Sequence, residues 1–553
     1  MEAVMIVLVL LMAVVVGQII TLFVTRFLQI AIPTPLIQIA VGAALSAFGG
    51  LGVALRPELF MLLFLPPLLF SDGWSIPKEG LIRDRWTILE MALFLVVFTV
   101  IFGGYFMHWL IPAMPLAVAF ALAAIMSPTD PVAVSAITAK VTVPKRLLHI
   151  LEGESLLNDA SGLVSMRFAV AAAMTGSFSL IAAFGTFLWT ALAGLIIGAA
   201  TTFVIARTGN WLFARFQLEA GSQIIISLLI PFIAYLLAEH VEASGILATV
   251  SAGIMMSFME NYAQNAATTR MRRLAVWNTL QFVANGIIFV LLGEQLPEIS
   301  SGAVNIVRDI GHQNPLWLLI YVALIYAVLI LLRFIWVWVS LRFTLFNAAR
   351  RGIKTFNPGW KLVAATSFAG VRGAVTLAGV LTLPLFLANG QPFPVRDLAI
   401  FLAAGVIVLS LIAASIALPF LLCDLKLPQE ASSRKEEETA QAAAYEAAIQ
   451  AVEKETHNLC QGQSDADIYT NAGAHIMQIY RDRLTSLSAD NDSEEKALRH
   501  EQDSKVERLL RLRALEAERH VYYDYKRRRL LPEESADKFL HAVDLMEAQL
   551  SAS

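Results

Sequence analysis

Residues 151–176, LEGESLLNDASGLVSMRFAVAAAMTG, place Glu152, Glu154, Asn158, Asp159 and Arg167 in a segment otherwise apolar enough to span a bilayer. A charge near the bilayer centre costs at least ~2.5–3.5 kcal/mol on insertion scales, so such a cluster needs a chemical reason. On a helix, Glu154 and Asn158 share a face, as do Ser155 and Asp159. Adjacent Asn158 and Asp159 point roughly 100° apart and serve neighbouring faces of one polar seam. Ser155 with Asp159 is a hydroxyl–carboxylate pair, the donor set that a small hard cation requires. Glu152 reads as a solvated helix-terminal residue, and Arg167, about two turns beyond Asp159, as structural or snorkelling.

Two further apolar stretches are chemically unusual. In MSPTDPVAVSA, residues 126–136, Pro128 and Pro131 flank Thr129 and Asp130. Each proline removes a backbone donor and disfavours continuous helix. At membrane depth the freed carbonyls must be met by protein or by a watery cavity, and beside a carboxylate and a hydroxyl they offer an oxygen-rich cation site. The plainer reading is a proline kink capped by Asp130. In AGVRGAVTLAGV, residues 369–380, Arg372 stands between Gly370 and Gly373, which reads as a second interrupted span. Its arginine suits the balancing of carbonyl ends and carboxylates. Arg333, in LILLRFIWVWVS, is another intramembrane cation, and Glu154 is the candidate partner that neutralises it.

The elements that must position these residues are membrane helices. Of 553 residues 57% are hydrophobic and only 15% charged, outside the usual range of soluble domains, and long apolar runs recur up to about residue 424. Charged and Pro/Gly-rich breaks mark thirteen spans near 3–25, 33–49, 57–73, 86–110, 115–139, 147–174, 180–206, 222–240, 243–259, 274–295, 315–341, 359–388 and 397–424. The pair 222–240 and 243–259, joined only by the polar turn around His240, is the least distinct. Alternate loops carry seventeen Lys and Arg on one side and three on the other, which puts the N-terminus outside and the tail in the cytoplasm. Residues 1–25 lack the basic start and cleavage site of a signal peptide, so the first segment is expected to remain a span.

The predicted fold is therefore an all-α polytopic membrane domain, residues 1–424, with a helical cytoplasmic tail, residues 425–553. The interrupted spans are the fifth and twelfth. Their odd offset makes them antiparallel, which suits inverted repeats (spans 1–6 against 8–13) meeting at a central site. The tail is rich in Ala, Glu and Lys and spaces Leu, Ala and Tyr at helical intervals, the pattern of a small bundle with a regulatory or dimer-supporting role. Cys423 and Cys460 are the only cysteines, so there is no disulfide framework, and His457 with Cys460 is a weak metal motif.

SPTDPVAV (127–134), EGESLLNDASG (152–162) and GVRGAV (370–375) together resemble the monovalent cation:proton antiporter-1 family, which includes bacterial sodium–proton antiporters and animal sodium–hydrogen exchangers. LFLPPLLFSDGW (63–74) and EASGILATVSAG (242–253) are similar to further stretches of that family. The resemblance implies that Asp159 takes either cation or proton, that Thr129 and Ser155 supply further oxygens to Na+, and that Asp130 lies beside the site at a crossing of interrupted helices. It implies that Asn158 and Glu154 shape the site, with Glu154 paired to Arg333, and that Arg372 belongs to the second broken helix. It also implies a homodimer in a bacterial inner membrane serving pH and sodium homeostasis, with no cofactor beyond the transported ions and no nucleic-acid partner.

The chemistry expected is exchange of a monovalent cation (Na+, K+ or Li+) for H+ by competition at one buried carboxylate. By the same resemblance, Asn158 beside Asp159, in place of a second aspartate, implies electroneutral one-for-one exchange, on which the membrane potential does no net work. The alternative is a cation channel without proton coupling, but no repeated filter loop is present. HExxH and GxSxG are absent too, so an enzyme is not expected.

Overall fold

The computed structural model describes residues 2–28, 32–47, 57–76, 82, 84–130, 145–175, 180–216, 220–260, 267–309, 314, 316–350, 359–387, 390–422, 431–460, 466–489, 510–523, 525, 528, 539–540 and 543–547. The second half of the proline-flanked fifth span, from Pro131 to residue 139, and the predicted domain boundary at 424/425 lie outside these residues. Among the described residues regular structure is helical, apart from one isolated bridge between Phe386 and Pro392. The chain divides into two compact units, Met1–Leu427 and Pro428–Ser553.

The first unit runs α1 (Glu2–Phe23, prolonged by a π-turn Val24–Leu28), α2 (Thr34–Ala47), α3 (Pro57–Ser75) and α4 (Arg85–Leu110, with a π-turn at Glu90–Phe94). It continues with α5 (Leu116–Met126), α6 (Lys145–Thr175), α7 (Leu180–Phe216), α8 (Ala220–His240) and α9 (Gly245–Glu260). Then follow α10 (Ala267–Asp309), α11 (Leu316–Arg350), α12 (Gly359–Phe368), α13 (Ala374–Leu381) and α14 (Arg396–Leu422). Seven of the described segments are by length and composition long and apolar enough to cross a membrane.

The stretch around His240 resolves into two separate helices. The turn between them needs Glu242 at φ 56°, a left-handed conformation uncommon for a residue with a Cβ. Ser244 then caps α9 by accepting a hydrogen bond from the Leu247 N–H at 3.2 Å. The span expected at 274–295 is the middle of a much longer rod, α10.

The helices pack as two layers. α1, α2, α3 and α7–α10 form one, and α4–α6 with α11–α14 form the other; between them α10 leans on α14, with thinner contacts from α3 and α9 to α6 and from α3 and α10 to α13. Small residues bring backbones of the first layer into contact. A Cβ on Gly42 would stand 2.0 Å from the Val290 carbonyl oxygen, and one on Gly253 would stand 2.2 Å from that of Phe70. Without water as a driving force, such close backbone approach is how membrane helices gain packing energy. The second layer is tied by side chains: Ser161 on α6 donates to the Ala92 carbonyl at 2.5 Å, within the π-turn of α4.

In the second unit, a helix Ala431–Cys460 packs on another, Ala466–Ala489, through Tyr445 on Tyr480 and Gly473 against Thr456. Farther on, Arg519 pairs with Asp544 and Glu547, and Tyr522 stacks on Phe539.

Candidate functional site

α5 ends at Met126, and residues 127–130 are unwound. α12 likewise ends at Phe368, and helix resumes only at Ala374. The two unwound stretches meet: the Asp130 N–H donates to the Val371 carbonyl at 2.7 Å. Proline at 128 and glycines at 370 and 373 make both interruptions local consequences of sequence. Glycine at 373 is required sterically, since a Cβ there would stand 1.8 Å from Asp130 Oδ2.

The polar seam of α6 lies against this crossing. Ser155 Oγ donates to the Thr129 carbonyl at 2.5 Å, and Asn158 Nδ2 donates to Thr129 Oγ1 at 3.0 Å. Asn158 Oδ1 is buried and has no hydrogen-bond partner among the described residues. A cavity of about 30 Å3 opens here, lined by Thr129, Asp130, Ser155 and Asp159 from the second layer. That is room for roughly one or two waters, or a small cation with part of its hydration shell. Carboxylate, hydroxyl and amide oxygens are the ligands hard cations take.

Glu154 and Arg333 stand apart from the cavity. Both are nearly inaccessible, 1% and 3% exposed, and they form a two-pronged ion pair at 2.5 and 2.6 Å. Arg333 Nε also donates to the Thr366 carbonyl at 3.1 Å, in the last turn of α12. Arg372 does not line the cavity. Its guanidinium donates to the Met126 carbonyl at 2.9 Å, where α5 ends, and to that of Gly370, while its N–H donates to Ser410 Oγ at 3.1 Å. One carbonyl from each interruption is thus answered by a single side chain. Arg167, half exposed, forms an ion pair with Glu239 at 3.1 Å, and neither residue lines the cavity.

Four polar lining residues are not singled out by the sequence: Asp72, Gln281, Asn285 and Thr376. Asp72 and the two amides belong to α3 and α10, in the opposite layer, so the cavity lies where the layers meet. Asp72 falls within the LFLPPLLFSDGW stretch, and a lone carboxylate in an apolar span was itself a signal. Gln281 and Asn285 sit one turn apart on one face of α10, a weaker signal of the same kind. Gln281 Nε2 donates to Asp72 Oδ1 at 2.9 Å. The Thr376 hydroxyl is buried without a hydrogen-bond partner among the described residues.

Comparison with known proteins accounts for nearly the whole first unit. The sodium/hydrogen exchanger transmembrane family matches residues 4–423. An uncharacterised Na+/H+ exchanger of Escherichia coli, YjcE, is 39% identical over 533 residues, covering 95% of this chain and 96% of its own length. A sodium, potassium, lithium and rubidium/H+ antiporter of Bacillus subtilis is 43% identical over 426 residues, covering 76% of this chain and 62% of that protein. The sodium–proton antiporter MjNhaP1 of Methanocaldococcus jannaschii, solved at pH 8, shares the fold with a TM-score of 0.58 at 18% identity, covering 77% of this chain and 99% of that one.

Proposed function

The chain belongs to the sodium/hydrogen exchanger family, a family of multi-pass membrane transporters rather than enzymes, and from that premise we propose that it exchanges a monovalent cation for H+ by competition at Asp159. The relatives' names include sodium, potassium, lithium and rubidium among the cations; Na+ is the first choice here, with K+ and Li+ as further substrates. The observation that carries the reading is the cavity at the crossing of two unwound stretches, where Asp159, Asp130, Ser155 and Thr129 converge from one layer and Asp72 from the other.

A carboxylate in such a cavity holds a proton or a cation, and binding of either excludes the other. If the layers shift only when the site is loaded, competition alone produces exchange. Ser155 and Thr129 complete the oxygen set for Na+, and Asn158 positions the Thr129 hydroxyl through its amide. Glu154, Arg333 and Arg372 hold the broken helices together behind the site. With Asn158 neutral, Asp159 is the exchanging charge and the cycle is electroneutral, one cation for one proton.

The remaining features follow the same reading: thirteen spans built as inverted repeats, an outside N-terminus, a cytoplasmic tail, a homodimer in a bacterial inner membrane, and a part in pH and sodium homeostasis. The test is proton flux in proteoliposomes holding the purified chain, followed with an internal pH dye as Na+ and then K+ is added, with membrane potential clamped at two values. Wild type is expected to move protons when cation is added, indifferent to potential, and Asp159→Asn to lose the flux. Exchange surviving that substitution, or current without proton movement, would overturn the mechanism.

A further inference from the structure

The cavity carboxylates are mounted on different bodies. Asp130 and Asp159 belong to the layer of broken helices, Asp72 to the opposite layer, and the α3 backbone beside Asp72 is closely packed on its neighbour. A Cβ on Gly73 would stand 2.6 Å from the Val250 carbonyl oxygen, so α3 touches α9 backbone to backbone one residue after the carboxylate. α10, which carries Gln281, is seated on α2 in the same way: a Cβ on Gly293 would stand 2.0 Å from the Ile39 carbonyl oxygen. Asp72 and Gln281 therefore both stand on closely packed helices of the same layer, 209 residues apart in sequence and 2.9 Å apart at Nε2 and Oδ1.

We propose that Gln281 is a positioning residue for cation binding: its amide occupies one oxygen of Asp72, so that the carboxylate faces the cavity with the other and meets the ion as a single, aimed ligand. This rests on the reading of the cavity as the exchange site. Ser71 Oγ lies 3.4 Å from Gln281 Oε1, a long contact that steadies the amide from its far side. Two consecutive residues of α3 thus address the two ends of one carboxamide, which restricts its rotation.

The physical consequence is on affinity and ion choice, because ligand number and the rigidity of the cage decide which hard cation fits. Without the amide, Asp72 is free to turn away, to engage an ion with both oxygens, or to hold a proton of its own. Asparagine or a hydroxyl at 281 would be too short to reach. Gln281→Met keeps the length and removes the donor.

Na+-driven proton flux in proteoliposomes containing the full chain, at one fixed pH, gives KM and maximal rate for wild type, Gln281→Met, Asp72→Asn and the double variant. Loss of a hydrogen bond to a charged group sets the scale: KM for Na+ in Gln281→Met is expected to rise about tenfold, with maximal rate within about twofold of wild type. The Na+ to Li+ preference shifts with it. The double variant is expected to be no worse than Asp72→Asn, because the amide acts only through that carboxylate.

An unchanged KM in Gln281→Met, or fully additive losses in the double variant, would overturn the proposal. Gln281→Ala reads the same KM if the methionine variant does not fold. An Asp72→Asn protein with wild-type KM would remove Asp72 from the ligand set and the proposal with it. A shifted Asp72→Asn beside a wild-type Gln281→Met would refute the role of Gln281 alone. Lost flux in Asp159→Asn tests the exchange reading separately.

Discussion

Glu154→Gln is the most informative single perturbation of the scaffold behind the site. The pair it breaks is closed from solvent and two-pronged, at 2.5 and 2.6 Å, and Arg333 spends its remaining Nε–H on the Thr366 carbonyl. Glutamine keeps the shape and one acceptor but leaves a buried guanidinium facing a neutral amide. Arg372, which lies in the field of both Glu154 and Arg333, then becomes a second cation without the compensating carboxylate. Removing one partner of a buried pair costs about 3–5 kcal/mol, most of it the penalty of the charge left behind. For a unit of this size that is a fall in melting temperature of about 3–5 °C.

The assay is thermal unfolding of purified protein in detergent, for Glu154→Gln, Arg333→Gln and the double variant. With both charges gone no uncompensated ion remains, so the double variant is expected to be more stable than the sum of the single losses predicts, with a coupling of about 2–3 kcal/mol. Proton flux should fall in both singles, because Thr366 ties the pair to the interrupted helix. Additive losses, or a Glu154→Gln protein that melts with wild type, would refute the claim that mutual neutralisation is what the pair contributes.

Gly373→Ala is expected to abolish cation-driven proton flux while helical content by circular dichroism stays unchanged, since its methyl would occupy the place of Asp130 Oδ2. Gly198→Ala would put a Cβ 1.9 Å from the Ala248 carbonyl oxygen; it should cost about 1–3 kcal/mol of stability in the layer remote from the exchanging carboxylate, read as a lower melting temperature. Competition gives the sign of the pH dependence: as pH falls, protons displace cation, and apparent KM for Na+ rises, approaching about tenfold per pH unit at the acidic limit. A KM flat with pH would mean that proton and cation bind at separate groups.

Much of the site was legible in sequence because its cost is local. Charges in an apolar run, prolines around Thr129 and Asp130, and glycines around Arg372 each violate the chemistry of a continuous membrane helix within a few residues. The opposing wall was less legible. Asp72 stands in LFLPPLLFSDGW, whose carboxylate and paired prolines are local signals, but Gln281 and Asn285 are neutral amides of modest cost in a span, and no local feature of either helix tied these residues to residue 159. Helix ends were uneven in legibility: the polar turn around His240 marks the break between α8 and α9, but the left-handed Glu242 and the Ser244 cap that make that break, and the reach of α10 well beyond 274–295, are decided by local backbone geometry and packing.

Composition, hydrophobic run length and the placement of breakers by themselves determined that this chain is a helical membrane protein with interrupted segments carrying carboxylates, because backbone and charge must be satisfied span by span in a bilayer. Sequence offered Glu154 as the candidate partner of Arg333, but only the tertiary structure decided the geometry in which the charges meet. The distance from Glu154 to Arg333, the service of Arg372 to two carbonyls, and the approach of Asp72 and Gln281 to the cavity depend on how two layers of helices pack. That packing rests on glycines such as Gly42, Gly253 and Gly293, whose importance is set by what lies across from them.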